Sequence, residues 1–74
     1  MDRKQIVKEL EELLELPVNS LKEEQQLKEL MAWDSVTVLG VISLADEING
    51  QDLSPSDFQH VSTVRDIINL IQGI

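Results

Sequence analysis

The stretch from Leu30 to Ile48, LMAWDSVTVLGVISLADEI, limits the fold more than any other part of this 74-residue chain. Only Asp34, Asp46 and Glu47 carry a charge in it, and all three are acids. Apolar residues recur at the helical spacing of three to four. A helix this apolar has to bury one face. It also carries more apolar residues than one buried face can use.

Local signals predict where this helix begins and ends. Asp34 is a good N-cap, because its carboxylate can accept a hydrogen bond from a free backbone N–H of the first turn. Trp33 and Val38 then occupy the two positions of a hydrophobic staple. The pair Asn49-Gly50 is typical of a helix C-terminus, so the helix should end near Asn49.

Helical spacing divides this helix into two faces. The predicted core stripe consists of Val38, Val41, Ile42, Ala45 and Ile48. The opposite face carries Val36, Leu39, Gly40, Ser43 and Glu47, with Asp46 beside Leu39. This second face mixes apolar groups with carboxylates, which suits transient docking of a partner with a basic rim. The alternative is that neighbouring loops cover Val36 or Leu39, and spacing alone does not choose between them.

The N-terminal part of the chain predicts a second amphipathic helix and a long connection. Apolar residues at helical spacing indicate a helix from about Arg3 to Glu15, with Asp2 as its cap and Pro17 as its stop. From there to Trp33 the periodicity weakens, and we expect a connection that packs across the helix ends, with a helical turn around residues 20–25.

The C-terminal part predicts a short helix and a longer one. Ser54-Pro55 starts the short helix, with Asp57 in capping-box position. The last helix begins near Ser62 or Thr63 and ends at Gly73. Its apolar stripe is Val64, Ile67, Ile68 and Ile71. No stretch alternates like a strand, so the predicted fold is an all-α bundle of three longer helices and one short helix.

Composition restricts the function. The net charge is −8, and no Lys or Arg occurs between Glu29 and Val64. Such a chain repels phosphate backbones and anionic lipid, so we expect a basic protein partner and neither nucleic acid binding nor membrane insertion. There are no cysteines, and no segment is typical of a signal peptide or a membrane span. We expect a cytoplasmic monomer.

Ser35 is the candidate functional residue. It follows the predicted cap, where backbone N–H groups point outward and the helix dipole favours an anion, so a phosphate on its hydroxyl would be well placed. A hydrolase is a poor alternative, because Ser35 and His60 lack a Gly-x-Ser-x-Gly elbow. A calcium loop at residues 45–56 also fails, since Ala45 and Ser56 occupy ligand positions. No catalytic residue and no metal site is predicted.

The stretch WDSVTVLGVISLADEI, followed by NGQDLSPSDFQHVSTVRDIINLI, resembles the acyl carrier protein family. The family's Asp-Ser-Leu signature stands here as Asp34-Ser35-Val36. Later landmarks follow at the expected separations: Asp46-Glu47, Leu53-Ser54-Pro55 and Val61-Ser62-Thr63-Val64. The resemblance covers the whole chain, strongly from Leu30 onward and by helix pattern before that.

The resemblance implies a single non-catalytic carrier domain over residues 1–74, folded as a four-helix bundle. Ser35 would carry a 4'-phosphopantetheine arm, supplied from coenzyme A by a phosphopantetheinyl transferase. The arm's thiol would hold an acyl group as a thioester for enzymes of fatty acid, polyketide or related biosynthesis. The resemblance also implies that partners with basic surfaces recognise one face of the second helix. We call this face the docking face, and its residues are Asp34, Val36, Leu39, Asp46 and Glu47.

Three departures concern the pathway. Thr37 and Gly40 stand where carriers of fatty acid synthesis often have Asp and Glu, and Asn49 stands where an aromatic core residue is common. With Trp33 before Asp-Ser, the chain resembles freestanding carriers outside primary fatty acid synthesis. A peptidyl or aminoacyl carrier domain, and a helical adaptor without a prosthetic group, remain as alternatives.

Overall fold

The structure, a computed structural model, describes residues 2–73, and in this range every regular element is helical. The α-helices are α1 (Arg3–Leu13), α2 (Ser35–Asn49) and α3 (Val64–Gln72). Single turns of 3₁₀ helix form at Leu27–Glu29 and Pro55–Phe58. The predicted all-α class is confirmed. The predicted short helix is the second of these 3₁₀ turns, which is more tightly wound than an α-helix.

Residues 2–73 contain no strand, and their only β-type pairing is one isolated antiparallel bridge between Gln26 and Thr63. None of the helices in this range is both long enough and apolar enough to cross a membrane.

Each α-helix begins with a capping box, in which the cap side chain and the third helical residue satisfy each other's backbone N–H groups. Asp2 and Asp34 cap α1 and α2, as the sequence predicts. Of the two candidates for the last helix, Thr63 is the cap, and its hydroxyl accepts a hydrogen bond from the N–H of Asp66. Gly50 and Gly73 end α2 and α3 in the left-handed conformation. The predicted bounds of these two helices are therefore confirmed.

Helix α1 ends two residues earlier than expected. Glu15 adopts a left-handed backbone conformation, with φ at 58°. This turn lets the N–H of Leu16 donate to the carbonyl of Glu11 at 2.8 Å, which closes the helix end. The side chain of Glu11 turns inward and is only 3% exposed. Its carboxylate accepts a hydrogen bond from the N–H of Leu21 at 3.1 Å. Glu11, which lies outside the predicted apolar stripe of α1, therefore binds the connection to this helix.

The connection between α1 and α2 packs along the start of α3, as expected. Three backbone hydrogen bonds of 2.8 to 3.0 Å join the two segments. The N–H groups of Leu27, Val64 and Arg65 donate to the carbonyl groups of Ser62, Gln25 and Glu23, respectively. The predicted helical turn is misplaced, since the turn of helix forms at Leu27–Glu29 rather than at residues 20–25. Pairing of residues 23–27 with α3 uses backbone groups that a local helix would otherwise need.

The hydrophobic core lies between the three α-helices and is closed by residues of the connection. The least exposed side chains are Ile6, Leu10, Val41, Ala45, Val64, Ile67, Ile68 and Ile71. All four predicted stripe residues of α3 are in this set. On α2 the prediction was only partly correct: Val41 and Ala45 are fully buried and Ile48 packs against the core, but Val38 and Ile42 are half-buried and lie outside the core cluster.

An ion-pair network fastens α1 to α3. The guanidinium of Arg3 donates to Glu23 at 2.6 Å, to Asn69 at 3.0 Å and to Gln72 at 2.9 Å. The hydrogen bond from Arg3 lowers the pKa of the Glu23 carboxyl, and its charge acts in the same direction. The same hydrogen bond raises the pKa of Arg3. Through Arg3, this network joins α1 and α3 to Glu23 of the connecting segment.

Candidate functional site

Ser35 is the first residue of α2, and its position is determined by the capping box on either side of it. The Asp34 carboxylate accepts from the N–H of Thr37 at 3.0 Å, and the Thr37 hydroxyl accepts from the N–H of Asp34 at 2.9 Å. The same hydroxyl donates to the Asp34 carbonyl at 2.8 Å. Thr37 is almost fully buried, so these hydrogen bonds at the start of α2 are shielded from water.

Thr37 therefore has a role that the sequence reading missed. The family resemblance marks Thr37 as a departure, because carriers of fatty acid synthesis often have Asp at this position. Its position three residues after the Asp34 cap was the signal that could have identified it, because that is where a capping-box partner stands.

The side chain of Ser35 is exposed, and its hydroxyl makes no hydrogen bond within residues 2–73. The first N–H groups of a helix have no partner inside the helix, and with the helix dipole they favour a negative group at this end. The Asp34 carboxylate takes up one of these groups and leaves the remaining first-turn N–H groups available. The geometry is that of an accessible nucleophilic oxygen in a place that suits a phosphodiester.

An apolar groove runs beside Ser35, between α2 and the 3₁₀ turn Pro55–Phe58. It encloses about 330 Å³ and is lined by Ser35, Val38, Leu39, Pro55, Phe58 and Gln59. The Phe58 ring lies 6.4 Å from the Trp33 ring, centroid to centroid, with the planes tilted by 42°. The sequence reading missed Phe58 as a site residue and placed Val38 in the core. The capping signal at Ser54-Pro55 predicts the helical turn that contains Phe58. It does not predict that this turn lies against the start of α2.

The residues of the docking face are all exposed. Val36 and Leu39 are 72% and 58% exposed, so the alternative in which loops cover them is wrong for residues 2–73. Asp34, Asp46 and Glu47 are also exposed. The face is extended, because Asp46 follows Ser35 by about three turns, or roughly 16 Å along the helix axis.

Helix α1 adds acids to this side of the molecule. Gly40 lies where α1 crosses α2, and a Cβ at this position would lie 2.6 Å from the Leu13 Cδ1 atom. The close approach brings Glu9 and Glu12 to the edge of a groove of about 410 Å³ that also contains Glu47. The acidic field beside α2 thus has contributions that the spacing within α2 did not reveal.

His60 is exposed in the loop between the 3₁₀ turn Pro55–Phe58 and α3. No hydrogen bond within residues 2–73 connects His60 to Ser35.

Comparison with known proteins assigns the chain to a family. No curated protein and no solved structure matches the chain. A family model described as phosphopantetheine attachment site matches residues 4–71, which is nearly the whole chain and confirms the resemblance to carrier proteins. Domains of this family are generally non-catalytic carriers that a phosphopantetheinyl transferase modifies and that biosynthetic enzymes then use. The chain therefore belongs to the phosphopantetheine attachment site family, whose domains carry a covalently attached 4'-phosphopantetheine group.

Proposed function

We propose that this chain is a monomeric, cytoplasmic acyl carrier protein, folded as one carrier domain. Its 4'-phosphopantetheine arm is attached to the Ser35 hydroxyl, and the arm's thiol holds acyl intermediates as thioesters. The chain itself performs no chemistry. It presents a tethered substrate to enzymes of fatty acid, polyketide or related biosynthesis at high effective concentration.

The observation that carries this proposal is the exposed Ser35 hydroxyl at the start of α2. The other exposed serines do not combine these properties. Ser43 lies within α2, where the backbone N–H groups are already used. Ser54 and Ser56 share a hydrogen bond of 2.8 Å between their hydroxyls. The Ser20 hydroxyl donates to the Pro17 carbonyl at 2.6 Å, and the Ser62 hydroxyl donates to the Asp66 carboxylate at 3.3 Å. Ser35 is thus the serine best placed for a phosphodiester.

The groove beside Ser35 favours an acyl cargo over an aminoacyl one. Its lining is almost entirely apolar, from Val38, Leu39, Pro55 and Phe58. An aliphatic chain loses contact with water there, whereas a charged α-amino group would lose hydration without gaining a partner. The residues around Ser35 therefore fit an arm that carries an apolar group.

The docking face supplies the contact with the transferase and with later enzymes. Val36 and Leu39 offer apolar area close to Ser35, and Asp34, Asp46 and Glu47 surround it with negative charge. A partner with a basic surface would be steered toward Ser35 by this field.

Reversal of one docking-face charge tests this arrangement. We expect Glu47→Lys to slow association with the transferase and to flatten its salt dependence, while stability barely changes. Glu24→Lys is a matched control, because Glu24 is also exposed and the net charge changes equally, but it lies outside α2. Equal slowing by both variants would mean that only net charge matters, and would refute the docking face.

A mass measurement separates a carrier from an adaptor without a prosthetic group. The apo protein is incubated with coenzyme A and a phosphopantetheinyl transferase, and its intact mass is recorded. A carrier gains one phosphopantetheine group. No gain in mass, with a transferase that modifies a known carrier in the same buffer, would refute the proposed function.

A further inference from the structure

The cations of this acidic chain are gathered on one side. The chain has six Lys and Arg residues in all. Five of them line a single open groove of about 600 Å³ formed by α1, the connection and the start of α3. These five are Arg3, Lys4, Lys8, Lys22 and Arg65. Only Lys28 lies elsewhere, and no residue of α2 lines this groove, which we term the basic groove.

The carboxylates in the basic groove do not cancel its charge. Three acids line it, and two of them are already engaged. Glu11 is buried and accepts a hydrogen bond from Leu21. Glu23 is bound by Arg3 and lies 3.5 Å from the Nε atom of Arg65. Five cations against three carboxylates leave a local excess of positive charge in a chain of net charge −8.

Part of this positive charge is available to a partner. Lys4 and Lys8 are exposed, one turn apart on α1, and no carboxylate of residues 2–73 lies within 4.0 Å of either ammonium group. Lys22 is exposed, and its ammonium donates a hydrogen bond to the Asn19 carbonyl at 3.4 Å. The Arg3 network below them is held by contacts to α3. The groove therefore presents exposed lysines beside an arginine that is held in place by its hydrogen bonds.

The basic groove also has apolar surface. Val18 is 70% exposed, and Val7 of α1 is half-buried beside it in the lining. An exposed aliphatic side chain near the exposed lysines fits a partner that combines carboxylates with aliphatic side chains.

From these observations we propose that the basic groove binds an acidic segment of a partner protein, on a surface separate from the docking face. Carboxylates of the segment pair with Lys4, Lys8 and Lys22, and an aliphatic side chain contacts Val18. A long polyanion such as RNA would extend over the acidic remainder of the chain and be repelled. A short segment stays within the groove, and at physiological ionic strength the Debye length of about 8 Å screens the distant acids.

The test uses the full chain and a short fluorescent peptide that alternates Glu with Val. Binding is followed by fluorescence anisotropy at physiological ionic strength, for the wild type and for Lys4→Gln, Lys8→Gln and Lys28→Gln. All three variants remove one exposed cation, so their net charges are equal. We expect Lys4→Gln and Lys8→Gln each to weaken binding about two- to fivefold, the range of an exposed ion pair, and Lys28→Gln to leave it unchanged.

Equal weakening by Lys28→Gln, or no binding of the peptide to the wild type, would overturn the proposal. So would an RNA oligonucleotide or phosphatidylserine vesicles that bind more tightly than the peptide with the same dependence on Lys4 and Lys8. A separate surface also requires that saturating peptide leaves the rate of transferase modification unchanged. That rate is measured independently, so failure of the basic groove and failure of the carrier function are distinguishable.

Discussion

Truncation of Leu39 to Ala tests whether the two faces of α2 are assigned correctly. Leu39 is 58% exposed, so about two fifths of its surface is buried. Full burial of a Leu side chain is worth about 1.5–3 kcal/mol, and Ala retains part of the contact, so Leu39→Ala should cost less than about 1 kcal/mol. For a domain of this size that lowers the melting temperature by no more than about 4–8 °C.

Val41→Ala is the matched control from the opposite face of the same helix. Val41 is 0% exposed, so its truncation removes buried methyl groups and leaves a cavity. We expect a loss of roughly 2 kcal/mol in the free energy of unfolding, at least twice that of Leu39→Ala. Thermal melts of the two variants and the wild type measure this difference.

We expect only one of these two variants to change docking. Leu39→Ala should speed dissociation from the transferase, because it removes contact area from the docking face and leaves the steering field intact. Folded Val41→Ala should dissociate at the wild-type rate. The assignment would be refuted if Leu39→Ala melted as low as Val41→Ala, which would place Leu39 in the core. Unchanged dissociation of Leu39→Ala across a range of salt would refute its part in docking.

Two further predictions concern stability. The hydrogen bond from Arg3 lowers the pKa of Glu23 in the folded protein. The contribution of Glu23 to stability is therefore complete above its unfolded pKa of about 4.5 and is lost as the pH falls through the folded pKa. Glu23→Gln should therefore be less stable than the wild type at pH 7, by up to about 1 kcal/mol, with the difference shrinking below about pH 4; a difference that is constant with pH in denaturant titrations would contradict this. Gly40→Ala should leave stability nearly unchanged, because the higher helix propensity of Ala, worth about 0.5–1 kcal/mol, is offset by displacement of the Leu13 side chain. In the Leu13→Ala background that side chain is absent, so Gly40→Ala should stabilise the protein by about 0.5–1 kcal/mol. Additivity in this double-mutant cycle would show that the two residues do not interact.

The helix bounds were predictable where they depend on neighbouring residues. Asp34 with the residues after it, and Ser54-Pro55 with Asp57, form their caps within four residues of chain. Such interactions are present in the sequence itself, so the start of α2 and the position of Ser35 could be inferred before any packing was known. The early end of α1 was not predictable in this way, because a Glu at a left-handed position has no strong sequence signal.

The parts that depend on packing between distant segments could not be predicted. Helical spacing gives the width of an apolar stripe but not the rotation of the helix toward its neighbours, so Val38 was assigned to the core although it lines the groove beside Ser35. Glu11 has the spacing of a surface residue but is buried, and a hydrogen bond from the distant Leu21 N–H offsets part of the cost of burying its carboxylate. The basic groove combines residues 3–24 with Arg65, which no local pattern connects.

The most direct test of the account is to map the modified residue by intact mass. Wild type, Ser35→Ala and Ser43→Ala are each incubated with coenzyme A and a phosphopantetheinyl transferase. Both serines are exposed on α2, so the two variants differ only in position along the helix. The account predicts that the wild type and Ser43→Ala gain one phosphopantetheine group, whereas Ser35→Ala folds normally and gains none. Modification of Ser35→Ala would contradict the central claim that Ser35 is the attachment site.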